Sequence, residues 1–208
     1  MQTLDFQEII SSPVLAYEEG LRFFRGKGMI NETLRKLTAD LDAHSIDYCV
    51  IGAVALNQHG YKRFTEDIDL LLNKEGLEKF QNELVGFGYR PAFKDAARKF
   101  RTTAENVPVE IITAEEYPGD GKEKPVKFPN PSEDQVVIDG IKTVTLEKLI
   151  ELKLASGMTA KNRLKDLADV QELIKIKELG KEFGDKLNPY VRGIFLELQS
   201  SVEEAESE

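Results

Sequence analysis

Cysteine occurs once, at Cys49, and histidine twice, at His44 and His59. A single thiol cannot close an internal disulfide, and so few soft donors exclude a Cys-rich zinc site. No run approaches the ~18 uninterrupted apolar residues that a membrane span needs. The N-terminal MQTLDFQEII has no basic region leading into an apolar one, so no secretory leader is expected and a reduced, cytoplasmic setting is the default. Positive charge is scarce as well: 28 Lys and Arg stand against 37 Asp and Glu, for a net charge of −9. A surface that coats nucleic acid needs clustered positive charge to displace counterions, so that class is excluded, while a small basic groove is not.

What is present is enough apolar material for a core: 41% of 208 residues. The usual scale of ~100–200 residues per domain predicts one domain with appendages. The pattern predicts a helical region over 1–43, an α/β core over 44–145, a helical region over 146–200 and an acidic, disordered tail over 201–208. In the first region Val14–Phe24 is amphipathic, and Asn31 is placed to cap a helix over Glu32–His44. Strands are expected at Asp47–Ile51 and Glu66–Leu72, and a helix over Glu75–Phe87. Lys99–Thr103 pairs with Pro108–Thr113, and Gln135–Asp139 with Ile141–Val144. Tyr117–Ser132 holds four of the eight prolines and reads as a long functional or mobile loop. Helices follow over Leu146–Ser156, Lys161–Ile176 and Pro189–Ser200. The fold class is α+β: a mixed sheet with flanking helices.

The chemistry concentrates in two short segments. Asp67 and Asp69 are two residues apart on a strand, so both project from one face. Two like charges among Ile68, Leu70, Leu71 and Leu72 repel and are costly to desolvate. A divalent cation resolves the conflict, and Mg²⁺ takes one or two carboxylates together with phosphates and water. Glu110 puts a third acid in the apolar strand Val107–Ile112, and three acids on adjacent strands can hold two ions. Gly52 ends a strand and opens a helix. With no Cβ there, backbone N–H groups can approach an anion. Taken alone, each feature also has a plainer origin: a solvated acid pair at a strand end, a tight turn at Gly52, an edge-strand acid at Glu110.

Together the residues carry a resemblance. IGAVALNQHGYKRFTEDIDLLL, at positions 51 to 72, resembles the nucleotidyltransferase superfamily to which DNA polymerase β belongs. It is most similar there to small bacterial nucleotidyltransferases grouped with AbiEii-type toxins of toxin–antitoxin systems. Lys153, followed by Arg163-Leu-Lys165-Asp166-Leu-Ala-Asp169, resembles their second motif. The resemblance implies that Asp67, Asp69 and Glu110 bind Mg²⁺ or Mn²⁺, with Glu110 orienting or deprotonating the acceptor hydroxyl. Gly52 and Ala53 would contact phosphates through backbone N–H, Arg63 and Lys153 would neutralise the triphosphate, and Asp166 and Asp169 would orient Lys153 or the nucleotide.

The implied activity is transfer of a nucleoside monophosphate from an NTP to an RNA end, a protein or a small molecule, with release of pyrophosphate. Two departures from the pattern stand out: Ala53 replaces Gly or Ser, and Glu110 replaces Asp. They leave open a catalytically degenerate nucleotide-binding module that acts through a partner such as an antitoxin. A metal-dependent phosphodiesterase using the same acids is a third alternative. His59 reads as a structural helix-end residue, His44 as surface and Cys49 as core.

Overall fold

If a central strand carries Ile68, Leu70 and Leu72 on one side and Leu71 on the other, both faces of its sheet need covering. The computed structural model, which describes residues 5–206, covers both. Three helices lead in: α1 (Phe6–Ser11), α2 (Pro13–Phe24) and α3 (Met29–Ala43). The central part runs β1 (Cys49–Val50), α4 (Gly52–Gln58), β2 (Ile68–Leu72), α5 (Lys74–Lys79), β3 (Tyr89–Pro91), β4 (Lys99–Thr102), β5 (Pro108–Thr113), β6 (Gln135–Ile138) and β7 (Ile141–Val144). The chain closes with α6 (Leu146–Thr159), α7 (Leu164–Lys177) and α8 (Pro189–Glu206).

The strands form one seven-stranded mixed sheet in the order β3-β4-β5-β2-β1-β7-β6. β2 is parallel to β5 and antiparallel to β1, and β1 is parallel to β7. Ile68, Leu70, Leu72, Val109 and Ile111 pack on one face against Phe23, Leu34, Leu37 and Leu41 of the N-terminal helices. Leu71 and Cys49 pack on the other, against Leu149, Ile150, Leu173, Val191 and Phe195 of the C-terminal helices. Among the described residues no helix is long and apolar enough to cross a membrane.

Several boundaries differ from the pattern for identifiable reasons. α3 starts at Met29, and its cap position is Gly28 rather than Asn31. The first-turn donors are met from a distance: the buried carboxylate of Glu19 accepts from Met29 N–H, and Asn31 Oδ1 accepts from Gly28 N–H at 3.2 Å. Burial pushes Glu19 above the usual carboxylate range. The helix expected over Glu75–Phe87 ends early, because a π-type turn over Phe80–Leu84 follows α5. β3, and a 3₁₀ turn over Lys181–Lys186, give no period that the sequence discloses. The β6–β7 hairpin matches its expectation, turning on Asp139 and Gly140, both at positive φ. His59 and Cys49 sit in the interior; burial lowers the imidazole's pKa and pushes the thiol up to about 12.

The tail needs correcting. α8 continues to Glu206, and Val202 is 4% exposed against the second core. A helix already anchored by Val191 and Phe195 extends cheaply into Glu-rich sequence, since Glu is a good helix former. Residues 207 and 208 of the expected tail lie outside the described residues. Val202→Asp should therefore cost at least ~1 kcal/mol, lowering Tm by roughly 2–4 °C or more in a thermal melt; a frayed tail would leave Tm unchanged.

Candidate active site

β2 begins at Ile68, so Asp67 lies one residue before the strand and Asp69 within it. The hydroxyl of Thr65 donates to Asp67 Oδ1 at 2.6 Å and fixes that carboxylate. Asp69 faces Glu110 directly across the parallel β2–β5 pairing. Residues in register on neighbouring strands share a face, and this is the face covered by α6 and α7. Asp67, Asp69 and Glu110 accordingly line one cavity of about 230 Å³.

Gly52 shapes the floor of that cavity. It has φ of +65°, and a Cβ there would lie 1.9 Å from Asp69 Oδ2. No L side chain fits this position, so the first turn of α4 sits directly against the Asp69 carboxylate. Helices leave their first-turn N–H groups without intrahelical partners. The loop after α4 is templated by Asn57, whose Nδ2 donates to the carbonyls of Ala53 at 2.8 Å and Arg63 at 2.6 Å. Its Oδ1 accepts from Arg63 N–H at 3.0 Å.

That loop aims Arg63 at the C-terminal helices. Arg63 Nη1 pairs with Asp169 Oδ2 at 2.6 Å. Lys153 Nζ donates to the same oxygen at 2.8 Å and to Asp166 Oδ1 at 3.0 Å. Ser156 Oγ donates to Asp166 Oδ2 at 2.7 Å. Two bases and two acids thus neutralise one another between β2, α6 and α7. Asp169 is 2% exposed and Lys153 8%, so neither is a solvated surface group. Gly52, Ala53, Arg63, Lys153 and Asp166 also border a second cavity of about 270 Å³ with Arg163 and Lys165. The two cavities meet at Gly52, Asp67, Asp69, Lys153, Arg163 and Asp166.

The structure therefore brings every sequence-predicted residue to one place. Asp169 sits one layer back, holding Arg63 and Lys153. Sequence reasoning passed over Asn57, Thr65 and Ser156, and named Arg163 only as part of the second motif. Ser156 carried a signal, since it lies three residues after Lys153 on one helix and so shares its face. Arg163 was expected inside a helix; α7 instead begins at Leu164, with Arg163 at its cap position. Among the described residues, Arg163 and Lys165 have no carboxylate at ion-pair distance.

The electrostatics fit a cation. Burial and the carboxylates of Asp67 and Glu110 push Asp69 up to about 7, while Lys153 and Arg163 pull it partly back. Among the described residues no group of three or more His, Cys, Asp or Glu side chains is drawn closely enough together to cage a metal ion unaided. Glu110 is turned toward Lys99, with Nζ and Oε2 3.2 Å apart. The carboxylates of Asp67 and Asp69 offer oxygen donors alone, which suits a hard ion that completes its shell with phosphate and water.

Among solved structures the chain is similar to ANT(2'')-Ia in complex with adenylyl-2''-tobramycin, with TM-score 0.51 and 15% identity over 82% of this chain and 97% of that one. It is also similar to JHP933 from Helicobacter pylori, with TM-score 0.44 and 18% identity over 82% and 89% of the two chains. No protein-family model and no curated protein matches the chain. At this identity the likeness to ANT(2'')-Ia shows a shared fold, and the mixed sheet with flanking helices is the one expected.

Two outcomes follow. The folded protein holds a proton at Asp69 more firmly than the unfolded chain, whose carboxyl titrates near 3.8. That contribution to stability is full below this value and is lost as pH climbs through about 7. Metal-free Asp69→Asn should then lose less Tm than the wild type between about pH 5 and about pH 8, and the rise in wild-type Tm given by Mg²⁺ or Mn²⁺ should be larger at the higher pH. Gly52→Ala should cost ~1–3 kcal/mol from its left-handed backbone alone, and the rise in Tm given by the ion should disappear with it as Asp69 is displaced; an unchanged melt would reject the close packing at Gly52.

Proposed function

We propose that this chain uses its nucleotidyltransferase fold to move a nucleoside monophosphate from an NTP to an acceptor. One observation carries the reading: Asp67 and Asp69 stand on a common wall beside Gly52, where a cavity bordered by Arg163 and Lys165 opens. Anionic and cationic side chains that border one cavity suit a ligand that is itself a metal-bound polyphosphate.

The residues divide the work. Arg163 and Lys165, with first-turn N–H groups of Gly52 and Ala53, hold the outer phosphates. Arg63 and Lys153, already balanced by Asp166 and Asp169, keep the wall rigid and supply donors toward the phosphates. Asp67, oriented by Thr65, and Asp69 hold Mg²⁺ or Mn²⁺. The ion supplies charge neutralisation at phosphorus and makes an acceptor hydroxyl easier to deprotonate. Glu110, once it leaves Lys99, orients or deprotonates that hydroxyl. The acceptor oxygen forms a bond to the α-phosphorus, the bond to the bridging oxygen breaks, and pyrophosphate leaves. Rate enhancement comes from positioning and charge rather than from a covalent intermediate.

The sequence resemblance supports an AbiEii-like member that takes an RNA end, a protein or a small molecule as acceptor. ANT(2'')-Ia, bound to adenylyl-2''-tobramycin, supports the small-molecule case by analogy alone. A second reading has a specific observation behind it. The Lys99–Glu110 pair occupies the third acid, and Ala53 offers no hydroxyl. Both features favour a nucleotide-binding module that acts through a partner such as an antitoxin.

α-Labelled NTPs incubated with cell lysate and Mg²⁺ test the choice. Transfer of label to an acceptor is expected. Losing even an outer-shell partner of a metal costs about 10–100-fold. The double variant Asp67→Asn/Asp69→Asn should therefore fall by more than that while remaining folded by circular dichroism. Labelling at the wild-type rate in the double variant would reject the site. NTP binding that needs metal but labels nothing would favour the module.

A further inference from the structure

The segment from Tyr117 to Ser132 is the most irregular in the chain, and it is firmly held. Its base is closed by two hydrogen bonds, Glu115 N–H to the Phe128 carbonyl and Phe128 N–H to the Glu116 carbonyl, each 2.9 Å. Such closure makes an Ω-type loop. Val126 is 1% exposed in the second core. Lys124 is the unusual member. Lysine is almost never fully buried unless paired, yet the Lys124 side chain is 4% exposed. Its ammonium donates to the Pro118 carbonyl at 2.6 Å, to Asp120 Oδ1 at 2.6 Å and to Thr159 Oγ1 at 3.5 Å.

Thr159 is the last residue of α6. Lys124 therefore ties the loop to the helix that carries Lys153 and Ser156. Gly119 lets the loop lie flat on that helix: its φ is +76°, and a Cβ there would lie 2.3 Å from Thr159 Oγ1 and 2.9 Å from the Ser156 carbonyl oxygen. The result is an apolar wall. Pro118 and Phe128, with Ile112, Leu149 and Leu152, line the first cavity and not the second, whereas Arg63 and Lys165 line only the second.

Phosphate chemistry has no use for such a wall. We propose that it is the subsite for the nucleobase of the bound nucleotide, with Phe128 as the stacking face and Lys124 as the positioning residue that holds it in place. This rests on the nucleotide reading above. A nucleotide whose α-phosphate meets Asp67 and Asp69, and whose outer phosphates lie in the basic lobe, directs its nucleoside into the apolar one. The acceptor keeps a separate entrance at the open edge, where Glu110 is 40% and Lys99 55% exposed.

Tripolyphosphate carries the charge of an NTP without its base, and so separates the two lobes. Calorimetry would compare Mg²⁺–ATP, Mg²⁺–UTP and Mg²⁺–tripolyphosphate on the wild type, Phe128→Ala, Lys124→Met and Lys124→Arg. Base stacking on an aromatic ring predicts that Phe128→Ala weakens both nucleotides by roughly tenfold or more and leaves tripolyphosphate unchanged. Lys124→Met should act in the same direction, and Lys124→Arg should restore affinity. Phe128 is only partly buried, so its truncation keeps the fold if Lys124→Met does not. Nucleotide affinity unchanged in Phe128→Ala overturns the subsite while the nucleotide reading stands. A wild type that binds none of the three probes overturns both.

Discussion

A carboxylate on the covered face of a sheet, with a second acid two residues away and a third directly across the strand pairing, is the constraint on which the rest of the site depends. Asp69 has no protein cation at ion-pair distance among the described residues. Lys153 and Arg163 lower its pKa only in part, and burial with two neighbouring acids wins. Such a group either keeps a proton near neutrality or recruits a positive charge from outside the chain. The backbone is built around it: Gly52 gives up its Cβ so that α4 can start against the Asp69 carboxylate, and the register of β2 on β5 puts Glu110 opposite.

Around that centre the other charges are allocated, not scattered. Arg63 and Lys153 share Asp169, Lys153 also takes Asp166, and Ser156 completes Asp166. Burying an ion pair seldom stabilises a fold by itself, because desolvation offsets the attraction. What the network does is fix geometry, joining the loop after α4 to α6 and α7 across the mouth of the cavity. With those four charges balanced, the cations that line the two cavities without an ion pair among the described residues are Arg163 and Lys165. An anion entering the basic lobe meets net positive charge there, in a protein whose overall charge is −9.

The sequence marked the residues of the candidate site as plainly as it marked the fold class. Asp67, Asp69 and Glu110 could be read because a period of two places acids on one face and because apolar neighbours make them anomalous. Lys153 stood out for the same reason, as a charge within a helix apolar on several sides. The hairpin at Asp139-Gly140 was legible from its turn residues. What escaped depended on distant partners. Glu19 caps α3 across ten residues of chain; β3 is three residues long and ends on Pro91; Lys124 becomes conspicuous only once its ammonium is seen buried under a loop. Local pattern carries no record of such contacts. The acidic tail misled for the opposite reason: local charge suggested solvation, and tertiary packing of Val202 decided for helix.

The two departures from the pattern that the sequence resembles carry unequal weight. Ala53 loses a possible hydroxyl but keeps its backbone donor, and the residue is buried. Glu110 is longer than aspartate and is held by Lys99. That pair is 40% and 55% exposed, and exposed pairs contribute about 0–1 kcal/mol. A divalent ion held by Asp67 and Asp69 would attract the same carboxylate with twice the charge. The extra methylene gives Glu110 the reach to turn from Lys99 toward it. The Lys99 pair is therefore only a weak restraint on the third acid.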